Sequence, residues 1–244
     1  MNPLPRGAPE SDAGEHPFWD WLDALFLLGL LIPVALAAIG VTRAFVLVWP
    51  GMGRAAQALA LMFSGYAFWL TSLWMLLKVR YAQPFWPSMA WTVPWRHAAA
   101  TIFLGPVLAI SVAVGAVLLK TPEFANEIQK LMTDGFSIAL VGIFSFTLGP
   151  LCEELAFRGF FLPLLTRSLG VHAGVFVCAL PFALLHGPQY QWTWQVVALL
   201  VAAGMAFGYT RVWTGSTAAA TLVHATYNLT FFTGYLVSRK ELGF

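Results

Sequence analysis

Six polar residues stand in otherwise apolar stretches of this sequence: Glu153, Glu154, Arg158, His186, His224 and Asn228. Their types suit acid–base chemistry. A carboxylate in apolar surroundings with no cation of its own serves as a general base, and imidazoles move protons. Spacing assigns partners. Glu154 and Arg158 are four apart, so on a helix they share a face and pair. Glu153 lies about 100° around the same helix and meets other groups. His224 and Asn228 are again four apart and face one way. Glu153, His186 and His224 also form a one-oxygen, two-nitrogen set of the kind that binds catalytic zinc. His-Glu-x-x-His, the usual zinc-protease helix signature, is absent.

The elements that must carry these residues are membrane helices. The chain has 244 residues, of which 59% are hydrophobic and 10% charged, against about 45–50% and about 25% in soluble domains. This excludes disorder and a soluble two-domain enzyme, and predicts an all-α, polytopic transmembrane helix bundle. The apolar stretches number about seven spans, near 22–49, 55–77, 98–119, 136–166, 171–185, 194–212 and 216–237. Gly149-Pro150 should kink the fourth. Residues 120–134, with Phe124, Ile128 and Leu131 at helical spacing, predict an amphipathic surface helix. Residues 1–17 read as a disordered polar tail, and residues 18–244 as a single membrane domain.

Charge scarcity isolates the site. Of 11 acidic residues, Glu153 and Glu154 are the two inside a spanning segment; the others sit at helix entrances, in the amphipathic segment or in the tails. A charged residue at bilayer depth costs about 2.5–3.5 kcal/mol on insertion scales and faces the protein interior. Cys152 and Cys178 read as buried thiols in packing roles. The net charge of +2 gives no case for nucleic acid as a partner. The basic residues divide almost evenly between the two sides, so charge assigns no orientation.

Glu153-Glu154-Leu155-Ala156-Phe157-Arg158 resembles the Glu-Glu-x-x-x-Arg motif of the CAAX protease and bacteriocin-processing (Abi) family. Phe182 to His186 is similar to its Phe-x-x-x-His motif, and His224 to Asn228 to its His-x-x-x-Asn motif. The resemblance spans roughly residues 136–237, which it implies to be the catalytic core. It implies a glutamic-type intramembrane endopeptidase. Glu153 would activate the water, His186 would position it and shuttle protons, and His224 and Asn228 would donate to the oxyanion. Glu154 and Arg158 would support the helix that presents Glu153. No cofactor is expected; a zinc-dependent form would use Glu153, His186 and His224. The implied partners are the lipid bilayer and a peptide or protein at the membrane, such as a C-terminal processing tag or a prenylated tail. The implied location is an integral multi-pass protein of a bacterial inner membrane. The rival functions are a non-catalytic immunity or scaffold protein of the same fold and a proton-coupled transporter. The transporter reading lacks the internal repeat common in that class.

Overall fold

The computed structural model describes residues 17–123 and 126–241 of the chain. Every regular element among them is helical: α1 (Trp21–Gly29), α2 (Leu31–Val48), α3 (Arg54–Met75), α4 (Phe85–Ser88), α5 (Ala98–Leu118), α6 (Gly135–Phe146), α7 (Leu148–Glu154), α8 (Leu162–Leu169), α9 (Val171–Leu185), α10 (Trp194–Thr214) and α11 (Thr217–Glu241). π-Helical turns at Leu76–Arg80 and Leu155–Phe161 extend α3 and join α7 to α8. The elements stack into seven rods: α1–α2, α3, α5, α6–α8, α9, α10 and α11. Five of them, Trp21–Val48, Arg54–Arg80, Trp95–Leu118, Gly135–Leu169 and Trp194–Thr214, are long and apolar enough to cross a membrane. Val171–Leu185 is a shorter apolar helix. Large apolar side chains such as Ile32, Leu47, Val117 and Leu118 face outward, as lipid contact requires. The chain is an integral membrane protein.

Prolines locate the breaks. Pro33 has no N–H for the carbonyl of Gly29, four residues before it, and the first rod changes from α1 to α2 at Leu30. Pro150 likewise leaves the carbonyl of Phe146 without its helical partner. The fourth rod breaks at Thr147 (φ −124°, ψ −84°), three residues before Pro150 of the expected Gly149-Pro150 kink. Asp20 and Asp134 cap α1 and α6 in reciprocal capping boxes. The backbone N–H groups of Asp23 and Ser137 respectively hold the two capping carboxyls below the usual carboxylate range.

Two expectations change. Residues 126–132 form no amphipathic helix, only a 3₁₀ turn at Gln129–Leu131. Ile128, Leu131 and Met132 pack inward on Leu59, Val141 and Phe144 instead of facing lipid; Phe124 lies outside the described residues. The expected tail, residues 1–17, also lies outside them except for Pro17, which is buried and whose carbonyl accepts a hydrogen bond from Arg167. Asp23, by sequence one more acid at a helix entrance, is fully buried. It pairs with Arg80 at 2.9 Å and accepts a hydrogen bond from Tyr81, tying the first rod to the second. Burial and that hydrogen bond push the Tyr81 hydroxyl up to about 12.

A close crossing brings α5 onto α11, the helix that carries His224 and Asn228. A Cβ on Gly105 would lie 2.6 Å from the carbonyl oxygen of Val223 and 2.7 Å from the nitrogen of Tyr227. Only hydrogen fits there, so the backbones touch, as small residues permit in membrane helices. Gly105→Val is expected to lose about 1–3 kcal/mol through overpacking, read as a lower unfolding temperature in detergent; an unchanged temperature contradicts the close crossing.

Candidate active site

Glu153 and Glu154 end α7, where the helix opens into the π-helical turn Leu155–Phe161. Such turns widen the backbone and free carbonyls. Two of the turn's carbonyls find partners from distant segments: Phe157 accepts from Cys178 Sγ at 3.4 Å, and Phe160 from Trp19 Nε1 at 3.1 Å. Cys178 thus has a hydrogen-bonding role as well as a packing one. Both cysteines are free thiols.

Glu154 is the buried anchor. It is fully buried, and its Oε1 accepts from Arg158 Nη1 at 2.9 Å and from His224 Nδ1 at 2.9 Å. Arg158 is equally buried and donates from Nη2 to the carbonyl of Gly204 at 2.7 Å. Its guanidinium lies 4.7 Å from the Phe182 ring centre and 5.3 Å from that of Phe207, a cation–π setting that compensates lost hydration. The i, i+4 pairing expected from spacing is therefore present. The contact from Glu154 to His224, 70 residues apart, had no sequence signal.

The histidines are held by their Nδ1 atoms. His224 stacks on Phe207 at 4.4 Å and 18°. With a carboxylate opposite, its Nδ1 carries the hydrogen. His186 Nδ1 lies 2.7 Å from the carbonyl of Phe182, which also requires an N–H there. In both neutral rings Nε2 is then a bare acceptor. Each Nε2 faces the same oxygen: Glu153 Oε2 is 4.0 Å from that of His186 and 3.9 Å from that of His224. Three acceptors at these separations form a receptacle for a proton donor. A water about 2.8 Å from two partners spans about 4.0–4.5 Å between them.

The zinc set of Glu153, His186 and His224 has suitable donor atoms, but its spacing is wider than a tetrahedral zinc edge of about 3.3 Å, which follows from bonds of about 2.0–2.2 Å. Among the described residues no group of three or more His, Cys, Asp or Glu side chains is set to hold a metal ion.

Glu153, His186, His224 and Asn228 all line one cavity of about 380 Å³. Asn228 donates from Nδ2 to the carbonyl of Ser145 at 2.7 Å, next to the break at Thr147. One amide hydrogen is thereby committed, and the second has no partner among the described residues and can serve a guest. Tyr190, which also lines the cavity, carried no signal in the sequence. Burial, and then the Glu153 charge, push its hydroxyl up to about 12, so it remains a donor at neutral pH. The 126–131 segment, which also contributes to the lining, bonds to the 188–190 turn, Glu127 N–H donating to Gln189 O at 3.2 Å. Tyr66 also reaches the site, donating to Glu153 Oε1 at 2.7 Å.

Residues 135–230 match the family described as type II CAAX prenyl endopeptidase Rce1-like. This segment is similar to that family. It begins with α6, ends within α11, and contains all six polar residues of the site. The similarity to the CAAX protease family noted from three short motifs therefore holds over a continuous stretch. No curated protein and no solved structure gave a match.

The Arg158 contacts predict a stability order. Arg158→Met, which leaves Glu154 buried with half its compensation, is expected to lose about 3–5 kcal/mol. Arg158→Lys should fall between it and wild type, because an ammonium lacks the planar fork that reaches both Glu154 and Gly204. Thermal unfolding in detergent reads the order; equal stability of all three contradicts the buried pair.

Proposed function

We propose that the protein is an intramembrane endopeptidase that cleaves a peptide bond in a membrane-associated peptide or protein, with Glu153 activating water. The observation that carries this proposal is the convergence of Glu153 Oε2 and two imidazole Nε2 atoms beside a cavity that reaches Asn228. The Rce1-like match supports a CAAX-type protease, and through it a prenylated tail or C-terminal tag as the substrate class.

Charge accounting supports the roles. Glu153 and Glu154 contribute two negative charges and Arg158 one positive, so with neutral histidines this set is one proton short of neutrality. Uncompensated charge in an apolar bundle is costly, and a single proton shared among Glu153 and the two Nε2 atoms removes it. With that proton on His224, both of its nitrogens are donors, Nδ1 to Glu154 and Nε2 toward the substrate. The water oxygen attacks the scissile carbonyl carbon as its proton passes to Glu153 Oε2. Negative charge develops on the carbonyl oxygen and is met by His224 Nε2–H and the free Asn228 amide hydrogen. His186 relays the proton from Glu153 to the departing nitrogen as the C–N bond breaks. The products are a carboxylic acid and an amine. In its neutral form His224 is an acceptor at Nε2, so its oxyanion role requires the imidazolium.

The test uses purified protein in proteoliposomes and an internally quenched farnesylated CAAX peptide. Glu153→Gln should abolish cleavage. Asn228→Ala should lower kcat by about 10²-fold, the usual loss for an oxyanion donor. Excess chelator should leave the rate unchanged. Full activity of Glu153→Gln overturns the mechanism; loss with chelator and recovery with zinc favour the zinc-dependent form.

A further inference from the structure

We infer that Tyr66 is a positioning residue for Glu153, and that the active site is therefore incomplete without a helix outside the Rce1-like segment. This rests on the proposal that Glu153 is the general base. The two carboxylate oxygens have separate surroundings. Oε1 accepts the Tyr66 hydroxyl at 2.7 Å. Oε2 faces His186 and His224. Tyr66 is the one side chain among the described residues that donates a hydrogen bond to Glu153.

This division matters because the last torsion of a glutamate side chain is soft and nearly two-fold. A carboxylate without a fixed partner swings about that torsion, and its plane turns away from the imidazoles. With Oε1 tied, Oε2 alone is presented to the space between the imidazoles, and the water it binds is held in one orientation. Displacing a reacting group by about 1 Å can cost 10²-fold in rate.

Tyr66 is itself fixed. Its ring stacks on Phe144 of α6 at 6.3 Å and 15°. Its helix is tied to the first rod one turn later, where Trp69 Nε1 donates to the carbonyl of Leu27 at 3.2 Å. The hydroxyl thus comes from a helix braced on two sides, 87 residues from Glu153. In α3, then, the chain outside residues 135–230 does more than anchor the protein in lipid: it sets the rotamer of the base.

The decisive variant is Tyr66→Phe, which keeps the ring and its stack on Phe144 and deletes only the donor. With the farnesylated CAAX peptide, kcat should fall about 10- to 100-fold, KM should stay within twofold, and the unfolding temperature should stay at the wild-type value. Unchanged kcat overturns the inference. A raised KM with unchanged kcat also overturns it, since Tyr66 would then be a substrate contact.

A second readout needs no turnover. The infrared difference between wild type and Glu153→Gln isolates the Glu153 carboxylate band, and Tyr66→Phe should shift that band. A band that stays in place overturns the inference whatever the kinetics. If the band shifts but the wild type cleaves no peptide, the protease proposal fails and the Tyr66–Glu153 hydrogen bond stands, so the two failures are distinguishable.

Discussion

Glu154 has no contact with water, and the charge it carries must be met within the bundle. Arg158, on the next turn of the same rod, meets it on one side, and His224, from the last helix, on the other. Arg158 also reaches the carbonyl of Gly204 in α10. One buried carboxylate thereby ties together three rods. Such a network adds little net stability over well-packed apolar residues, but breaking it is expensive. Its contribution here is position. Glu154 orients the His224 ring so that its other nitrogen faces Glu153, and the carboxylate proposed as the base sits one residue away from the buried one. The adjacent glutamates differ in surroundings because a helix turns them toward different partners.

Around that anchor, the apolar bundle supplies a dry frame with few alternatives. Phe182 and Phe207 pack on the guanidinium and on the histidine rings. The π-helical turn after Glu154 interrupts the regular ladder, and Cys178 and Trp19 satisfy carbonyls within it. Local backbone irregularity in lipid is tolerated only where protein groups complete the hydrogen bonding, and here it coincides with the site.

Helical spacing made part of this arrangement legible in the sequence. Glu154 with Arg158, and His224 with Asn228, are relations of four residues, and a low background of charge made them visible. The seven rods were legible from apolar length. The remaining features come from contacts between distant segments, for which a single sequence carries no periodic sign. Tyr66 looks like any tyrosine in an apolar helix until α3 meets α7. Asp23 reads as a helix-entrance acid until Arg80 and Tyr81 close over it. Residues 126–132 have helical spacing, but apolar residues that dock on Leu59 and Phe144 gain more from burial than from a continuous surface helix, so tertiary packing overrode periodicity. Pro150 was correctly read as a breaker, and the break moved upstream because the lost hydrogen bond belongs to a preceding carbonyl.

The central claim is that Glu153 Oε2 and the two histidine Nε2 atoms share one water. An experimental structure with anomalous data collected at the zinc edge tests it most directly. The account predicts an oxygen-sized peak about 2.8 Å from Glu153 Oε2 and within hydrogen-bonding reach of both Nε2 atoms, with no anomalous signal. A peak about 2.0–2.1 Å from the two nitrogens with a zinc signal, or a Glu153 side chain turned away from both histidines, would contradict it.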